Sequence, residues 1–202
     1  MRILTITGLL FIVALLNACG ERAKIEGLTG DSTVVAFGDS LTFGLGVERD
    51  ESYPSVLAEL LECRVINAGV SGETTSEGLR RLPVVLEKNQ PDLVILCLGG
   101  NDMLQKQPKE KTKDNLKTMI SLIQNAGAEI IIIGVPEPGL LLRTPALYGE
   151  LAKEYKLPLD SKTIGKVLSS SALKSDLVHP NAEGYQVIAT ALLSLIRQSD
   201  GS

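Results

Sequence analysis

Residues 92–98 read DLVILCL, and residues 99–102 continue as GGND. The first stretch is a nearly unbroken apolar run, which is the pattern of a strand buried on both faces of a parallel sheet. A second run of this kind, EIIIIGV, occupies residues 129–135. Because parallel strands are joined by crossovers that are usually helices, these two runs predict an α/β protein.

Outward from these two runs, apolar strands alternate with amphipathic helices along the chain. The predicted strands are 33–37, 64–68, 92–98, 129–135 and 157–159. The predicted helices are 54–62, 75–88, 113–126, 145–155 and 181–197, the second of them interrupted or kinked near Pro83. This alternation predicts a three-layer α/β/α sandwich around a mostly five-stranded parallel sheet.

Small polar residues follow three of the predicted strands. Ser40 follows the first in the sequence GDSL of residues 38–41, Ser71 and Gly72 follow the second, and Asn101 follows the third. Ligand sites of parallel sheets lie at the carboxyl ends of the strands, so these residues are expected at one edge. Each fragment by itself is equally typical of an ordinary turn or helix cap.

The chain has one histidine, His179, in the stretch SDLVHPN of residues 175–181. Asp176 precedes it by three positions, a spacing at which a turn can place a carboxylate against the imidazole. Such a pair supplies a base with a fixed tautomer and a partner for the imidazolium ion. An Asp-x-x-His pattern alone is more often a simple turn, so it gains meaning only beside the other fragments.

Four fragments in chain order resemble the four sequence blocks of the GDSL/SGNH hydrolases. They are GDSL at residues 38–41, Gly72, Gly99-x-Asn101-Asp102, and Asp176-x-x-His179-Pro180. Residues 67–105 are similar to the bacterial periplasmic branch whose members are described as thioesterase, lysophospholipase and arylesterase. The resemblance implies the flavodoxin-like fold of an SGNH hydrolase.

The resemblance also implies roles for individual residues. Ser40 would be the nucleophile, His179 the general base and Asp176 the residue that orients the imidazole. The Ser40 amide, the Gly72 amide and the Asn101 side chain would form the oxyanion hole. Asp39 and Asp102 are expected to support the neighbouring turns.

The expected activity is that of a serine esterase. It would hydrolyse carboxylic esters or thioesters, such as aryl esters, acyl thioesters or lysophospholipids, through an acyl-enzyme. A carbohydrate acetylesterase or deacetylase is the alternative within the class, weakly disfavoured by an aromatic content of 3% and the lack of tryptophan. A non-catalytic lipid-binding lipoprotein is the alternative of another class. No metal or organic cofactor is expected, because no motif for one is present.

Two loops and two cysteines complete the expectations for the domain. The apolar segment 139–142 would either line an acyl-chain groove or fold back on the core. Segment 103–111 corresponds to a flexible loop beside the site in the resembled branch. Cys63 and Cys97 are expected to be free thiols.

The amino terminus has the pattern of an export signal. Residues 1–18 combine one arginine with an apolar stretch, and Leu16-Asn17-Ala18-Cys19 resembles a lipobox in which Cys19 is lipidated. A plain secretory signal peptide or an uncleaved anchor is the alternative. Residues 19–30 would be a tether and 31–199 a single hydrolase domain. These features predict an exported bacterial lipoprotein, anchored in a membrane and facing the periplasm or the cell exterior.

Chain length and net charge limit the number of domains and the kinds of binding partner. A chain of 202 residues suits one domain with a sizeable core. The net charge of −4 offers no basic surface for nucleic acid. The resemblance to the GDSL/SGNH hydrolases implies a small acyl ester or thioester as substrate and a monomer as the expected state, and the amino-terminal pattern implies a membrane as the other partner.

Overall fold

The computed structural model describes residues 27–199. Within this range, one parallel sheet has the strand order β2-β1-β3-β4-β5. The strands are β1 (Thr33–Gly38), β2 (Arg64–Gly69), β3 (Leu93–Cys97), β4 (Glu129–Ile133) and β5 (Leu159–Asp160). Because all pairs are parallel, every strand ends at the same side, called here the carboxyl edge, and begins at the opposite amino edge.

Helices cover both faces of the sheet. They are α1 (Ser40–Phe43), α2 (Tyr53–Leu61), α3 (Thr75–Asn89), α4 (Gly100–Leu104), α5 (Lys109–Asn125), α6 (Ala146–Tyr155), α7 (Thr163–Ser169) and α8 (Ala182–Ser199). Helices α2 and α7 pack on α8, whereas α3 and α6 pack on α5. The predicted three-layer α/β/α architecture is confirmed.

The sheet forms the centre of the core. All residues of β3 are buried, and so are residues 130–133 of β4, as their continuous apolar sequence predicts. Every buried apolar side chain described lies between Val34 and Ile196. A chain without the segment that precedes residue 27 therefore keeps this entire core.

In helix α3, the predicted interruption near Pro83 is not observed. It runs without interruption from Thr75 to Asn89, with Pro83 inside it. Leu82 and Leu86 are buried and hold the turns around the proline against the core, while Pro83 itself faces outward. Packing of the apolar face thus outweighs the hydrogen bond that proline cannot donate.

Segment 103–111 is helical at both ends. α4 extends to Leu104 and α5 begins at Lys109, so the connection between them spans residues 105–108. Helices α1, α4 and α7 were not predicted, since they are too short to show a helical period in the sequence. The first turn of α5 is polar and lysine-rich, so it carries no apolar signal either.

The ends of two strands and the state of two cysteines were also predicted. β4 ends at Ile133 and β5 covers only Leu159–Asp160, so both differ slightly from the predicted ranges. Cys63 and Cys97 are free thiols.

Across residues 27–199, no helix is long and apolar enough to cross a membrane. The predicted signal peptide and Cys19 lie outside the described residues.

Candidate active site

Ser40 lies at the junction of β1 and α1. Only Asp39 separates the end of the strand from the start of the helix. The Asp39 carboxylate caps the helix by accepting a hydrogen bond from the Leu41 amide at 3.0 Å. A side chain at Gly38 would collide with the carbonyl oxygen of Cys97, which explains the glycine. The sharp turn leaves Ser40 on the wall of a pocket at the carboxyl edge.

His179 approaches Ser40 from a distant part of the chain. Its Nε2 lies 3.0 Å from Ser40 Oγ, and its Nδ1 lies 2.7 Å from Asp176 Oδ2. With the ring proton on Nδ1, the imidazole donates to the carboxylate and accepts from the serine hydroxyl. The structure thus joins the serine, histidine and aspartate singled out in the sequence in one hydrogen-bonded line.

The turn of residues 175–181 fixes the Asp176–His179 pair. Asp176 Oδ1 accepts hydrogen bonds from the amides of Val178 and His179, each at 2.8 Å. The Ser175 amide donates to the His179 carbonyl at 3.0 Å and closes the turn. Partial burial opposes ionisation of Asp176, but these amides and the imidazole outweigh it and lower the pKa of the carboxyl. The imidazole therefore faces a carboxylate.

Asn101 lies in the first turn of α4, directly after β3. Gly99, two residues earlier, has a φ of 116°, which residues other than glycine rarely adopt. A Cβ at this position would also collide with the Tyr148 hydroxyl. Asn101 Nδ2 donates to the Glu73 carbonyl at 3.0 Å and to Asp39 Oδ2 at 3.3 Å. The amide therefore connects the turns that follow β1 and β2.

Gly72 lies in the turn after β2. The Glu73 amide donates to the Val70 carbonyl at 3.2 Å, and Gly72 has a φ of 80° inside this turn. Ser71 belongs to the pocket wall, whereas Gly72 does not. Of the three predicted oxyanion donors, the structure places Ser40 and Asn101 on the pocket wall and Gly72 in the adjoining turn.

Two buried carboxylates support these turns. Asp102 accepts hydrogen bonds from the Thr75 amide at 2.8 Å and the Thr75 hydroxyl at 2.5 Å, so it fixes α4 to the start of α3. Asp39 is 2% exposed. Burial, reinforced by Glu73 and Asp102 and opposed by the Leu41 amide, raises the pKa of Asp39 to about 7.

Glu73 and Arg81 form an ion pair behind the site, and this pair was not predicted from the sequence. Arg81 Nε and Nη2 each lie 2.6 Å from the Glu73 carboxylate. Nη2 also donates to the Ala68 carbonyl at 2.8 Å, and the guanidinium lies 4.0 Å from the centre of the Phe37 ring. The pair holds the 70–74 turn against β1 and β2. Nothing in the helical sequence marks Arg81, because its partner lies in a loop.

The pocket beside Ser40 has a volume of about 170 Å³ and is mainly apolar. Its apolar lining consists of Leu41, Leu45, Leu104, Val135, Pro136, Pro138, Leu142, Leu168 and Val178. Of the apolar segment 139–142, only Leu142 lines this pocket. Across the described residues 27–199, no group of three or more His, Cys, Asp or Glu side chains could hold a metal ion.

A serine, histidine and aspartate in line at the carboxyl edge of a parallel sheet are an arrangement found in serine hydrolases of several folds. Residues 36–187 match the model of the GDSL-like lipase/acylhydrolase family. The chain belongs to this family and is therefore an ester-bond hydrolase.

Named relatives and a solved structure support the assignment. The chain is 32% identical to the thioesterase 1/protease 1/lysophospholipase L1 of Escherichia coli over 165 residues, 78% of this chain and 79% of that one. It is 32% identical to the arylesterase of Vibrio mimicus over 167 residues, 77% and 84% of the two chains. The crystal structure of the psychrotrophic esterase EstA from Pseudoalteromonas sp., inhibited by monoethylphosphonate, matches with a TM-score of 0.75 and 26% identity. That match covers 85% of this chain and 100% of the esterase.

Proposed function

We propose that this hydrolase is a serine esterase that cleaves carboxylic esters and thioesters through an acyl-enzyme on Ser40. The observation that carries the proposal is the continuous line from Ser40 Oγ to His179 Nε2 at 3.0 Å and from His179 Nδ1 to Asp176 at 2.7 Å. This geometry lets the hydroxyl lose its proton as it attacks.

In the first half of the reaction, Ser40 Oγ bonds to the carbonyl carbon and His179 Nε2 takes the hydroxyl proton. The tetrahedral intermediate then expels the alcohol or thiol, which receives that proton from His179. In the second half, His179 takes a proton from water, the hydroxide attacks the acyl-enzyme, and Ser40 recovers its proton as the acid leaves. Asp176 keeps the imidazole oriented and balances its charge throughout.

The oxyanion is proposed to form beside Asn101. Both hydrogens of the Asn101 amide have acceptors, Glu73 O at 3.0 Å and Asp39 Oδ2 at 3.3 Å. The longer bond, to Asp39, is the one an oxyanion would replace. The amides of Ser40 and Gly72 would complete the hole, and each donor contributes about 3 kcal/mol to transition-state stabilisation.

The substrate class follows from the lining of the pocket. A mainly apolar wall beside the nucleophile suits an acyl chain better than a polar sugar ring. The relatives named as thioesterase, lysophospholipase and arylesterase act on acyl groups, which supports acyl esters and thioesters as substrates.

The test is hydrolysis of p-nitrophenyl esters from acetate to palmitate by protein that begins at Gly20. Ser40→Ala should abolish turnover, and Ser121→Ala, a serine on α5 that does not line the pocket, serves as the control and should keep it. A fluorophosphonate should add one adduct to the wild type and none to Ser40→Ala. Turnover that survives in Ser40→Ala would refute the mechanism. Hydrolysis restricted to acetyl esters would instead favour a carbohydrate acetylesterase.

We also propose that the mature protein is an exported lipoprotein attached through Cys19. The support is the sequence pattern of residues 1–19 alone. Cys19→Ser should shift the protein from the membrane to the soluble fraction of cells, with unchanged esterase activity. Continued membrane attachment of the variant would contradict a lipid anchor at this cysteine.

A further inference from the structure

Exposed apolar side chains gather at the carboxyl edge of the sheet. Among residues 27–199, all the large ones except Val84 lie in loops or short helices at this edge. Leu45 and Leu104 belong to the pocket wall, and Leu177 is next to the lining residue Val178. Single exposed leucines are common on proteins, but a cluster around a pocket mouth indicates an interaction surface.

The most exposed of these side chains lie on residues 137–143, called here the leucine loop. A hydrogen bond of 2.9 Å from the Glu137 amide to the Arg143 carbonyl closes its base. At its tip, Leu140 is 99% exposed and Leu141 69% exposed. Leu142 instead lines the active-site pocket, and its carbonyl oxygen lies close against Gly165 of α7. The loop is fixed at its base while its apolar tip projects into solvent.

Three cations flank the leucine loop. Arg143, the last residue of the loop, lines a groove together with Lys162 and Lys166, and Leu142 lines both this groove and the active-site pocket. Within residues 27–199, none of the three forms an ion pair. These positive charges stand out on a chain whose net charge is −4.

Two acidic groups lie near these cations. Glu137 is paired with Lys109 at 2.5 Å. Asp160 accepts hydrogen bonds from the amides of Lys162 and Thr163, each at 2.9 Å, at the start of α7, and it keeps its negative charge. The three cations outnumber this one unpaired carboxylate, so the patch keeps an excess of positive charge that can meet an external anion.

We propose that the leucine loop and its three cations form a docking surface for an anionic phospholipid bilayer. Proteins that bind at a membrane interface insert apolar side chains into the lipid and place cations beside the lipid phosphate groups. Leu142 belongs both to this surface and to the pocket wall, so docking would open the pocket toward the lipid. The inference deepens the proposed esterase function by naming membrane lipids as the source of its acyl esters.

Vesicle co-sedimentation tests the surface directly. Protein beginning at Gly20, which keeps the whole core, is mixed with phosphatidylcholine vesicles with or without about one-third phosphatidylglycerol. Wild type should bind the anionic vesicles. Leu140→Ser/Leu141→Ser should weaken that binding at least about tenfold, whereas the control Val84→Ser, exposed on α3, should not change it.

Charge variants test the cations separately. Changing Arg143, Lys162 and Lys166 to glutamine should weaken binding to anionic vesicles roughly fivefold for each charge removed. As a control, Lys113→Gln/Lys117→Gln removes two cations of α5 that are each paired with a glutamate, and it should leave binding unchanged, whereas removal of any two of the three patch cations should weaken it. Equal binding of the triple variant and the wild type would overturn the role of the cations.

Hydrolysis of p-nitrophenyl acetate by the same proteins separates this inference from the proposed function. All these variants should retain it, since none of the changed side chains lines the active-site pocket. Retained hydrolysis without vesicle binding would overturn the docking surface alone, and vesicle binding without hydrolysis by the wild type would overturn the esterase. Sedimentation that shows a dimer lost on changing Leu140 and Leu141 would assign the surface to a second copy and overturn the lipid proposal.

Discussion

The two edges of the sheet are built differently. At the amino edge, helices connect to the next strand through the short segments 62–63, 90–92, 126–128 and 156–158. Glu62, Gln90 and Lys156 end their helices there with positive φ angles. At the carboxyl edge, two of the five connections, 70–74 and 134–145, are longer. This edge carries the buried carboxyl groups of Asp39, Glu73 and Asp102, the exposed leucines and the pocket. The comparison indicates that one edge serves folding and the other serves chemistry, so substitutions at the two edges should affect different measurements.

Of the substitutions that compare the two edges, Asp176→Asn at the carboxyl edge should have the largest effect. An amide in place of the carboxylate would favour the wrong imidazole tautomer, and kcat should fall about 10³- to 10⁴-fold. Asp92→Asn at the amino edge is the matched control and should keep kcat. Steady-state kinetics on a p-nitrophenyl ester measures both. Comparable losses in the two variants would erase the distinction between the edges.

Asn101→Ala should come next. It removes one proposed oxyanion donor, so kcat should fall about 10²- to 10³-fold with little change in KM. The same kinetic assay resolves the two constants. A rise in KM at constant kcat would show instead that Asn101 binds the ground state.

Asp39 should make stability depend on pH. Its pKa is about 7 in the folded protein against 3.8 in a free side chain, so the folded state holds a proton that the unfolded chain has lost. The free energy of unfolding should therefore decrease as the pH rises from 4 to 7, by roughly 3 kcal/mol relative to Asp39→Asn. Urea denaturation of both proteins across this range tests it. Parallel pH profiles would contradict a protonated Asp39.

At the amino edge, Asp92→Ala should affect stability alone. The Asp92 carboxylate accepts a hydrogen bond of 2.7 Å from the Thr33 amide at the start of β1. Its loss should cost about 1 kcal/mol of unfolding free energy, again measured by urea denaturation, with kcat unchanged. A fall in kcat would mean that the amino edge also positions the pocket.

The smallest effect is expected for Gln90→Gly. Gln90 ends α3 with a φ of 42°, a conformation that costs least for glycine. The substitution should raise the free energy of unfolding by up to about 0.5 kcal/mol. The backbone strain relieved in the folded state should exceed the conformational entropy that glycine adds to the unfolded chain. Thermal unfolding measures it. A lower melting temperature would show that the glutamine side chain contributes more than its backbone costs.

Most of the fold was predictable because burial imposes a simple pattern. After their first residues, the runs at residues 92–98 and 129–135 are apolar. A strand that helices cover on both faces of the sheet buries the side chains on both of its sides, so these side chains are apolar. Short helices such as α1 and α4 escaped prediction because four or five residues span little more than one turn, too few to show a repeating apolar pattern. The continuity of α3 through Pro83 escaped it because packing of Leu82 and Leu86 is a tertiary effect.

The candidate site was predictable only in part. Ser40, Asn101, Asp176 and His179 were identifiable because each lies in a short local motif, and their catalytic roles remain predictions. The Glu73–Arg81 pair has no such motif. The division of the leucine loop, with Leu142 in the pocket and Leu140 in solvent, also depends on how that loop packs on α7.

The sequence by itself determined the alternation of strands and helices, the polar residues at the strand ends and the resemblance to the GDSL/SGNH blocks. These properties are local, since each depends on the order of neighbouring residues. Only the tertiary structure decided that His179 Nε2 meets Ser40 Oγ across 139 positions of the chain. It also decided that Asp39 is buried deeply enough to raise its pKa, because distance and desolvation depend on which segments the fold brings together.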